Sequence, residues 1–346
     1  MTTLTDLFGT SLPIVQAPMA GVQGASLALA VTQAGGLGSL PAATLTPEAL
    51  RRDLVAIRER TTGPINVNFF CHVPPEPDAQ REAGWRAVLA PYYAEFGLDP
   101  DVVVAGPARS PFNHDLADVL AEFPQAVVSF HFGLPTSDLL ERVRATGAKV
   151  LSSATTVDEA RWLQAQGVDA VIAQGLEAGG HRGHFLSDDL DSQVGTFALL
   201  PQIVRAVRVP VIAAGGIADA AGVAAARSLG AVGAQVGTAY LLCPEATTSA
   251  VHRQALTADA GESTVLTNLF TGRPARGIRN RLMRELGAMR SDVPAFPLAA
   301  GAVSPLRGKA EAQGSGDFSP LWAGQNTTGC RAVPAADITR ELARGW

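Results

Sequence analysis

Three short stretches carry residues that could do chemistry together. In QGLEAGGHRG, His181 follows Gly179-Gly180 directly after an apolar run. Glycine lets backbone approach a ligand closely. An imidazole with an unperturbed pKa near about 6.5 serves as a general base or switchable donor at neutral pH. A lone loop histidine is more often structural, so its company decides the reading. That company is AAGGIAD, with Gly215-Gly216, and QVGT, with Gly237-Thr238. Both place glycine where an apolar run ends and the chain turns. A single such loop reads as a tight turn, but two in succession read as a phosphate cradle of backbone N–H groups. Asn68 and Gln174 end two further apolar runs, and their amides donate and accept together. They suit the edge of an isoalloxazine ring, and each alone equally suits a loop backbone.

The remaining candidates are weaker. His131 in SFHFG also ends an apolar run and reads as a substrate contact or a packed ring. His184 forms HxxH with His181, but no third ligand is spaced for a metal site. Cys71 and His72 are adjacent; neighbours on a strand face opposite sides, so they form no nucleophilic pair. No GxGxxG opens a helix after a strand and no GxxxxGK[ST] occurs, so the phosphate belongs to a mononucleotide or a phosphosugar.

These residues need a scaffold that gathers strand ends. Eight apolar runs alternate with stretches of helical period: from Ile14, Gly36, Pro64, Ala126, Lys149, Asp169, Val209 and Gly233. Strands apolar throughout are buried on both faces, as in parallel sheets. The pattern predicts a (β/α)8 TIM barrel, with an open doubly wound sheet as the alternative. VVVAG from Val102 is a ninth strand candidate, placed in the long connection before the fourth strand. Pro47 and Thr156 mark helix starts, and Gly167 marks a stop. After Tyr240 the alternation ends. Residues 244–325 show helical patterns (GESTVLTNLF, RNRLMRELGAM) without a convincing strand and read as an inserted helical substrate subdomain. The barrel then occupies 1–243, and 326–346 return to it as a last helix.

Composition limits the function classes. The 346 residues are 47% apolar and 17% charged, with net charge −5, which disfavours nucleic acid or an anionic membrane as partner. No segment reaches the roughly 18 unbroken apolar residues of a membrane span, and the N-terminus lacks a signal-peptide layout. Three widely spaced cysteines, Cys71, Cys243 and Cys330, suit a reduced cytoplasmic chain.

At QAPMAGV (Gln16–Val22), NVNFFCH (Asn66–His72), QGLEAGGHRG (Gln174–Gly183), IAAGGIAD (Ile212–Asp219) and QVGT (Gln235–Thr238), the sequence resembles the nitronate monooxygenase family. NVNFFCH and SPLWAGQ (Ser319–Gln325) resemble its bacterial class I members. The resemblance implies non-covalent FMN held by Ala17, Met19, Ala20, Gly21, Asn68, Gln174, Gly179, Gly180, Gly215, Gly216 and the segment Gln235, Val236, Gly237, Thr238. Trp322 and Gln325 would close over the cofactor and substrate. It implies His181 as the catalytic residue, and oxidation of alkyl nitronates of the propionate 3-nitronate type by O2 to a carbonyl compound and nitrite. The partners expected are the small nitronate and O2, with a homodimer left open. A substrate anionic at both ends calls for a cation, for which Arg182, Arg307 and Lys309 are candidates. The family's pockets often carry tyrosines from the inserted subdomain; here the only tyrosines are Tyr92, Tyr93 and Tyr240. The alternatives are an FMN-dependent NAD(P)H:quinone or enoyl reductase, and a catalytically silent barrel that binds FMN or a phosphorylated ligand.

Overall fold

All eight apolar runs form parallel strands, and the sheet closes on itself. The computed structural model describes residues 3–99, 109–258 and 263–346; the strand candidate from Val102 lies outside the described residues. The strands are β1 (Ile14–Gln16), β2 (Gly38–Pro41), β3 (Ile65–Phe70), β4 (Val127–His131), β5 (Lys149–Ala154), β6 (Ala170–Gln174), β7 (Gly180–His181), β8 (Val211–Ala214), β9 (Gly233–Val236), β10 (Thr264–Thr267) and β11 (Ala275–Ile278). The large sheet runs β1-β9-β8-β6-β5-β4-β3-β2. A parallel bridge between Val15 and Leu37 joins its ends: Leu37 N–H donates to the Ile14 carbonyl at 2.8 Å, and Gln16 N–H to the Leu37 carbonyl at 3.0 Å. That closure decides for the barrel over the open sheet.

Period-2 alternation sorts each strand into an inner and an outer set. Val67, Val128, Val150, Val171 and Val211 face outward into a core shared with the surrounding helices. Val15, Val127, Leu151, Ala170 and Ile212 face inward and pack with Leu4 and Phe8 of the helix Leu4–Phe8. The barrel interior is thus filled from the strand N-terminal side, leaving the C-terminal end for a site, as in other barrels. Thr46 caps its helix by accepting from Ala49 N–H at 3.2 Å, and Thr156 accepts from Glu159 N–H at 3.2 Å.

The inserted segment departs from the helical reading. TVLT forms β10, which pairs antiparallel with β11, and β11 in turn pairs with β7, setting Ala275 against His181. Three β-branched residues and a leucine over four positions are too few to separate strand from helix by period. The pairing partner decides. The helices Arg281–Leu286 and Ala299–Ala312 do form. Their core is completed from elsewhere in the chain: Trp85, Leu89, Tyr92 and Tyr93 of the helix Ala79–Glu95 pack with Leu282, Met283, Val303 and Phe318. The helix Ala335–Ala343 returns to the barrel, where Thr339 Oγ1 meets the Tyr240 hydroxyl at 2.9 Å. Among the described residues no helix is long and apolar enough to cross a membrane.

Candidate active site

The inner residues at the strand C-termini line an open cavity of about 1300 Å³, its mouth included. Of the residues singled out in the sequence, Ala17, Met19, Ala20, Asn68, His131, Gln174, Gly179, Gly180, His181, Gly215, Gly216, Gln235, Gly237, Thr238 and Trp322 line it together. Gly21, Val236 and Gln325 do not. Val236 faces outward by strand alternation and is buried with Ile14, Val31 and Ile338. Gln325 is exposed and holds its place through its N–H, which donates to the Glu177 carbonyl at 2.9 Å. Its neighbour Asn326 lines the cavity instead and donates from Nδ2 to the Gly216 carbonyl at 3.1 Å. At Gly21 the backbone only turns, with φ 86°, and Val22 supplies the wall.

The backbone of His181 is clamped on every side. Its carbonyl accepts from Gln174 Nε2 at 3.0 Å and lies 3.2 Å from His131 Nε2. Its strand pairs with β11, and Arg182 N–H donates to the Pro274 carbonyl at 2.9 Å. The ring is held separately: Nε2 lies 2.9 Å from Thr271 Oγ1, and the ring of Trp322 is 5.7 Å away. Where Nε2–H donates to Thr271, Nδ1 keeps the lone pair that a general base needs. Burial, then the charge of Arg109 and the nearby His131, Arg273 and His72, holds the His181 pKa well below its ordinary value. His181 is therefore a neutral imidazole at pH 7, competent as a base or neutral donor.

His131 lines the cavity and also braces the His181 backbone. Its Nδ1 is 2.6 Å from Ser153 Oγ and its Nε2 faces the His181 carbonyl, so both ring nitrogens have protein partners. Burial pulls its pKa down to about 3. Gln174 is likewise committed, accepting at Oε1 from Gly183 N–H at 2.8 Å. Asn68 Nδ2 donates to Ser129 Oγ at 3.0 Å. Gln235 Oε1 is buried and has no hydrogen-bond partner among the described residues. A buried acceptor left unmade costs about 1–3 kcal/mol, so this position suits a ring N–H arriving with a ligand.

Opposite the β3–β4 side, the two glycine loops line the cavity together. Gly215 and Gly216 sit at φ 115° and 73°, a region that glycine enters without strain. Among the described residues, the N–H groups of Gly216, Gly237 and Thr238 meet no protein acceptor. A strap from Trp322 to Asn326 covers them: Gly324 N–H donates to Thr238 Oγ1 at 2.9 Å. The strap also explains Gly179, where a Cβ would fall 2.6 Å from Ala323 C and Gly324 N. Free N–H groups, close backbone approach and an orphaned amide oxygen fit a phosphorylated ring such as FMN. We expect Gly237→Val to weaken FMN binding at least about ten-fold, since even a Cβ there meets Ala17 and Met19 at 3.3–3.4 Å. Equilibrium dialysis of folded protein checks this; unchanged affinity would mean that the loop only turns the chain.

The three proposed cations are placed elsewhere. Arg182 is fully buried and spends its guanidinium on the carbonyls of Gly175 and Gln174, at 2.6 and 2.9 Å, and on Gln193 Oε1. Arg307 pairs with Glu311 at 2.7 Å, and Lys309 is exposed. The cation that does line the cavity is Arg109. It stands in a connection without periodicity, so nothing local in the sequence marked it. Phe70, Ser129 and Ser153 were also passed over, although two-residue counting along β3, β4 and β5 points each of them inward. Burial pushes the Cys71 thiol well above its ordinary value.

Barrel closure, two glycine loops with free N–H groups and a buried neutral histidine at one mouth define a (β/α)8-barrel enzyme site for small molecules. A model of the nitronate monooxygenase family matches residues 1–345, and the chain belongs to that family. It is 43% identical over 345 residues to a nitronate monooxygenase of Paraburkholderia phytofirmans, across 99% of this chain and 94% of that protein. To a nitronate monooxygenase of Pseudomonas aeruginosa it is 43% identical over 341 residues, 98% of this chain and 97% of that one. Among solved structures it resembles nitroalkane oxidase from Streptomyces ansochromogenes, with TM-score 0.87, 41% identity and coverage of 98% and 96%. It is also similar to FabK from Thermotoga maritima, with TM-score 0.73, 27% identity and coverage of 100% and 96%.

Proposed function

We propose that the protein oxidises nitronates with O2, using FMN, to a carbonyl compound and nitrite. The observation that carries this reading is the single cavity joining His181 to the free N–H groups of Gly216, Gly237 and Thr238, in a chain of the nitronate monooxygenase family. Gly216, Gly237 and Thr238 would hold the FMN phosphate, and Gln235 Oε1 would take a ring N–H. Bound there, the flavin supplies the redox chemistry, and the protein orients the substrate and limits access. His181 meets the nitro group as a neutral donor, or removes the α-proton of a nitroalkane before oxidation. Thr271 fixes the ring that does so, while Gln174 and His131 fix its backbone. Trp322 and the strap behind it keep bulk water from the cavity. The three cysteines stand as free thiols, which supports a reducing, cytoplasmic setting.

The test is anaerobic mixing of the FMN-loaded protein with ethylnitronate and, separately, with NADH or NADPH. We expect the nitronate to bleach the flavin absorbance far faster, and aerobic turnover to release nitrite. Rapid bleaching by a pyridine nucleotide, with no nitrite from any nitronate, would establish the reductase alternative instead. A protein that takes up no FMN would remove both readings.

A further inference from the structure

The peptide between Gly215 and Gly216 is trans, so its carbonyl and its N–H point in opposite directions. Neither glycine carries a Cβ, and the backbone by itself accepts this peptide in either orientation. One orientation turns the Gly216 N–H into the cavity. The other turns the Gly215 carbonyl there, and its negative end would repel a phosphate. A side chain outside the cavity settles the choice. Thr196, the first residue of the helix Thr196–Ala206, donates from Oγ1 to the Gly215 carbonyl at 3.0 Å. The Gly216 N–H, at the opposite end of the same peptide, meets no protein acceptor among the described residues, and Gly216 lies on the cavity wall.

Thr196 is itself clamped. Its N–H donates to Glu177 Oε2 and Oε1 at 2.7 and 3.0 Å. Its hydroxyl also reaches Oε2 at 2.9 Å, so one proton is shared between carboxylate and carbonyl as a three-centre bond. A carboxylate at a helix start is stabilised by the unpaired N–H groups and the dipole there. The surroundings leave no room for another arrangement: a Cβ on Gly175 would fall 1.9 Å from Thr196 Oγ1, and one on Gly195 2.9 Å from Glu177 Oε1. Glu177 stands in the loop that leads from β6 to His181, and its own carbonyl takes the Gln325 N–H of the strap. Neither Thr196 nor Glu177 lines the cavity, so both act through the backbone they hold. We propose that Thr196, fixed by Glu177, is a positioning residue for the cofactor: it pins the Gly215–Gly216 peptide so that the Gly216 N–H stands ready for the FMN phosphate. This rests on the FMN reading above.

The test measures binding of FMN and of riboflavin, which has the same ring and no phosphate, to the flavin-free protein by quenching of flavin fluorescence. Thr196→Val and Thr196→Ala remove the hydroxyl, the second without adding bulk; Thr196→Ser keeps it. Wild type should bind FMN more tightly than riboflavin. Loss of the hydroxyl should weaken FMN at least about ten-fold, the lower end of what one hydrogen bond to a charged group contributes. Riboflavin affinity should stay near the wild-type value in every variant, and Thr196→Ser should bind both flavins as wild type does. Equal loss on FMN and riboflavin would mean that the hydroxyl only supports the fold of the loop, and would overturn the proposal. So would unchanged FMN affinity without the hydroxyl, a serine variant as weak as the alanine one, or a wild type that does not distinguish the two flavins. If wild type takes up no flavin, the cofactor reading fails by itself, and inorganic phosphate then decides the clamp. A rise in melting temperature with phosphate that wild type shows and the hydroxyl-free variants lack would support it; equal shifts would sink it.

Discussion

His181→Asn is expected to retain FMN and to lose far more activity on nitroethane than on ethylnitronate. Nothing in the cradle of Gly216, Gly237 and Thr238 touches the imidazole, so flavin content should stay near wild type. Asparagine can still bond to Thr271 Oγ1, which the histidine meets at 2.9 Å, and the Gln174 and His131 bonds to the residue's carbonyl are backbone contacts that survive. Asparagine cannot take a proton. A nitroalkane must surrender its α-proton before oxidation, and loss of a positioned base typically costs about 10²–10⁴-fold. A nitronate has already lost that proton. Because burial and the flanking Arg109 and Arg273 keep His181 neutral, it offers a nitronate only a neutral hydrogen bond, worth about 0.5–1.5 kcal/mol or roughly 2–12-fold. The two substrates should separate by at least about ten-fold in kcat/KM. The pH profile follows with its sign. The depressed pKa keeps the base form present from neutrality downward, so kcat/KM for nitroethane in the wild type should show no fall near pH 6.5 and decline only well below it. Steady-state kinetics on the paired substrates, with FMN quantified, decide. Rates near wild type on both would remove His181 from the mechanism.

Mild acid should destabilise the flavin-free protein steeply. Five of its six histidines are held neutral inside: His72, His184 and His252 with pKa values near 4, His131 near 3, and His181 well below its ordinary value. Desolvation is the largest cause in each. Arg273 faces His72, His131, His181 and His184, while Arg253, Arg307 and Glu311 surround His252. The unfolded chain binds protons at these sites near pH 6.5 and the folded chain does not. Their contribution is therefore complete above pH 6.5 and is lost as pH falls toward the folded values. Each site accounts for up to about 1.4 kcal/mol per pH unit, or about 2 kcal/mol between pH 6.5 and 5. Paired carboxylates such as Glu95 have lowered pKa values and lose their contribution at lower pH, outside this window. Urea midpoints across pH 5–7 measure the slope. His252 is well buried and its Nε2 has no protein partner, so His252→Gln should flatten the slope by about one histidine's share. A flat profile from pH 7 to 5 would show that these rings protonate freely in the folded state.

The sequence by itself determined eight parallel strands with helices between them, and only the Val15–Leu37 bridge decided that the sheet closes into a barrel. Eight apolar runs separated by capped helical stretches leave a parallel sheet little alternative, and strand ends in a closed sheet must converge. Glycines at two successive ends therefore pointed to the two loops with free N–H groups without any long-range contact being known. The same alternation could have gone further. Gln235 inward and Val236 outward follows from counting in twos, as does the inward face of Ser129 and Ser153. Other decisions belonged to tertiary structure alone. TVLT is a strand because β11 is there to pair with it, and β11 holds His181 through a two-residue partner too short to carry a pattern. Gln174 and His131 read equally as ligand contacts or as structural groups, and folding turned them to the His181 carbonyl while Gln235 Oε1 stays without a partner among the described residues. Arg182 stands beside His181 in sequence, yet it is buried and spent on two carbonyls and Gln193. Arg109, far away in an aperiodic connection, reaches the cavity. Local pattern reports which face a residue occupies. The partner a buried polar group finds depends on segments distant in the chain, and only their packing supplies it.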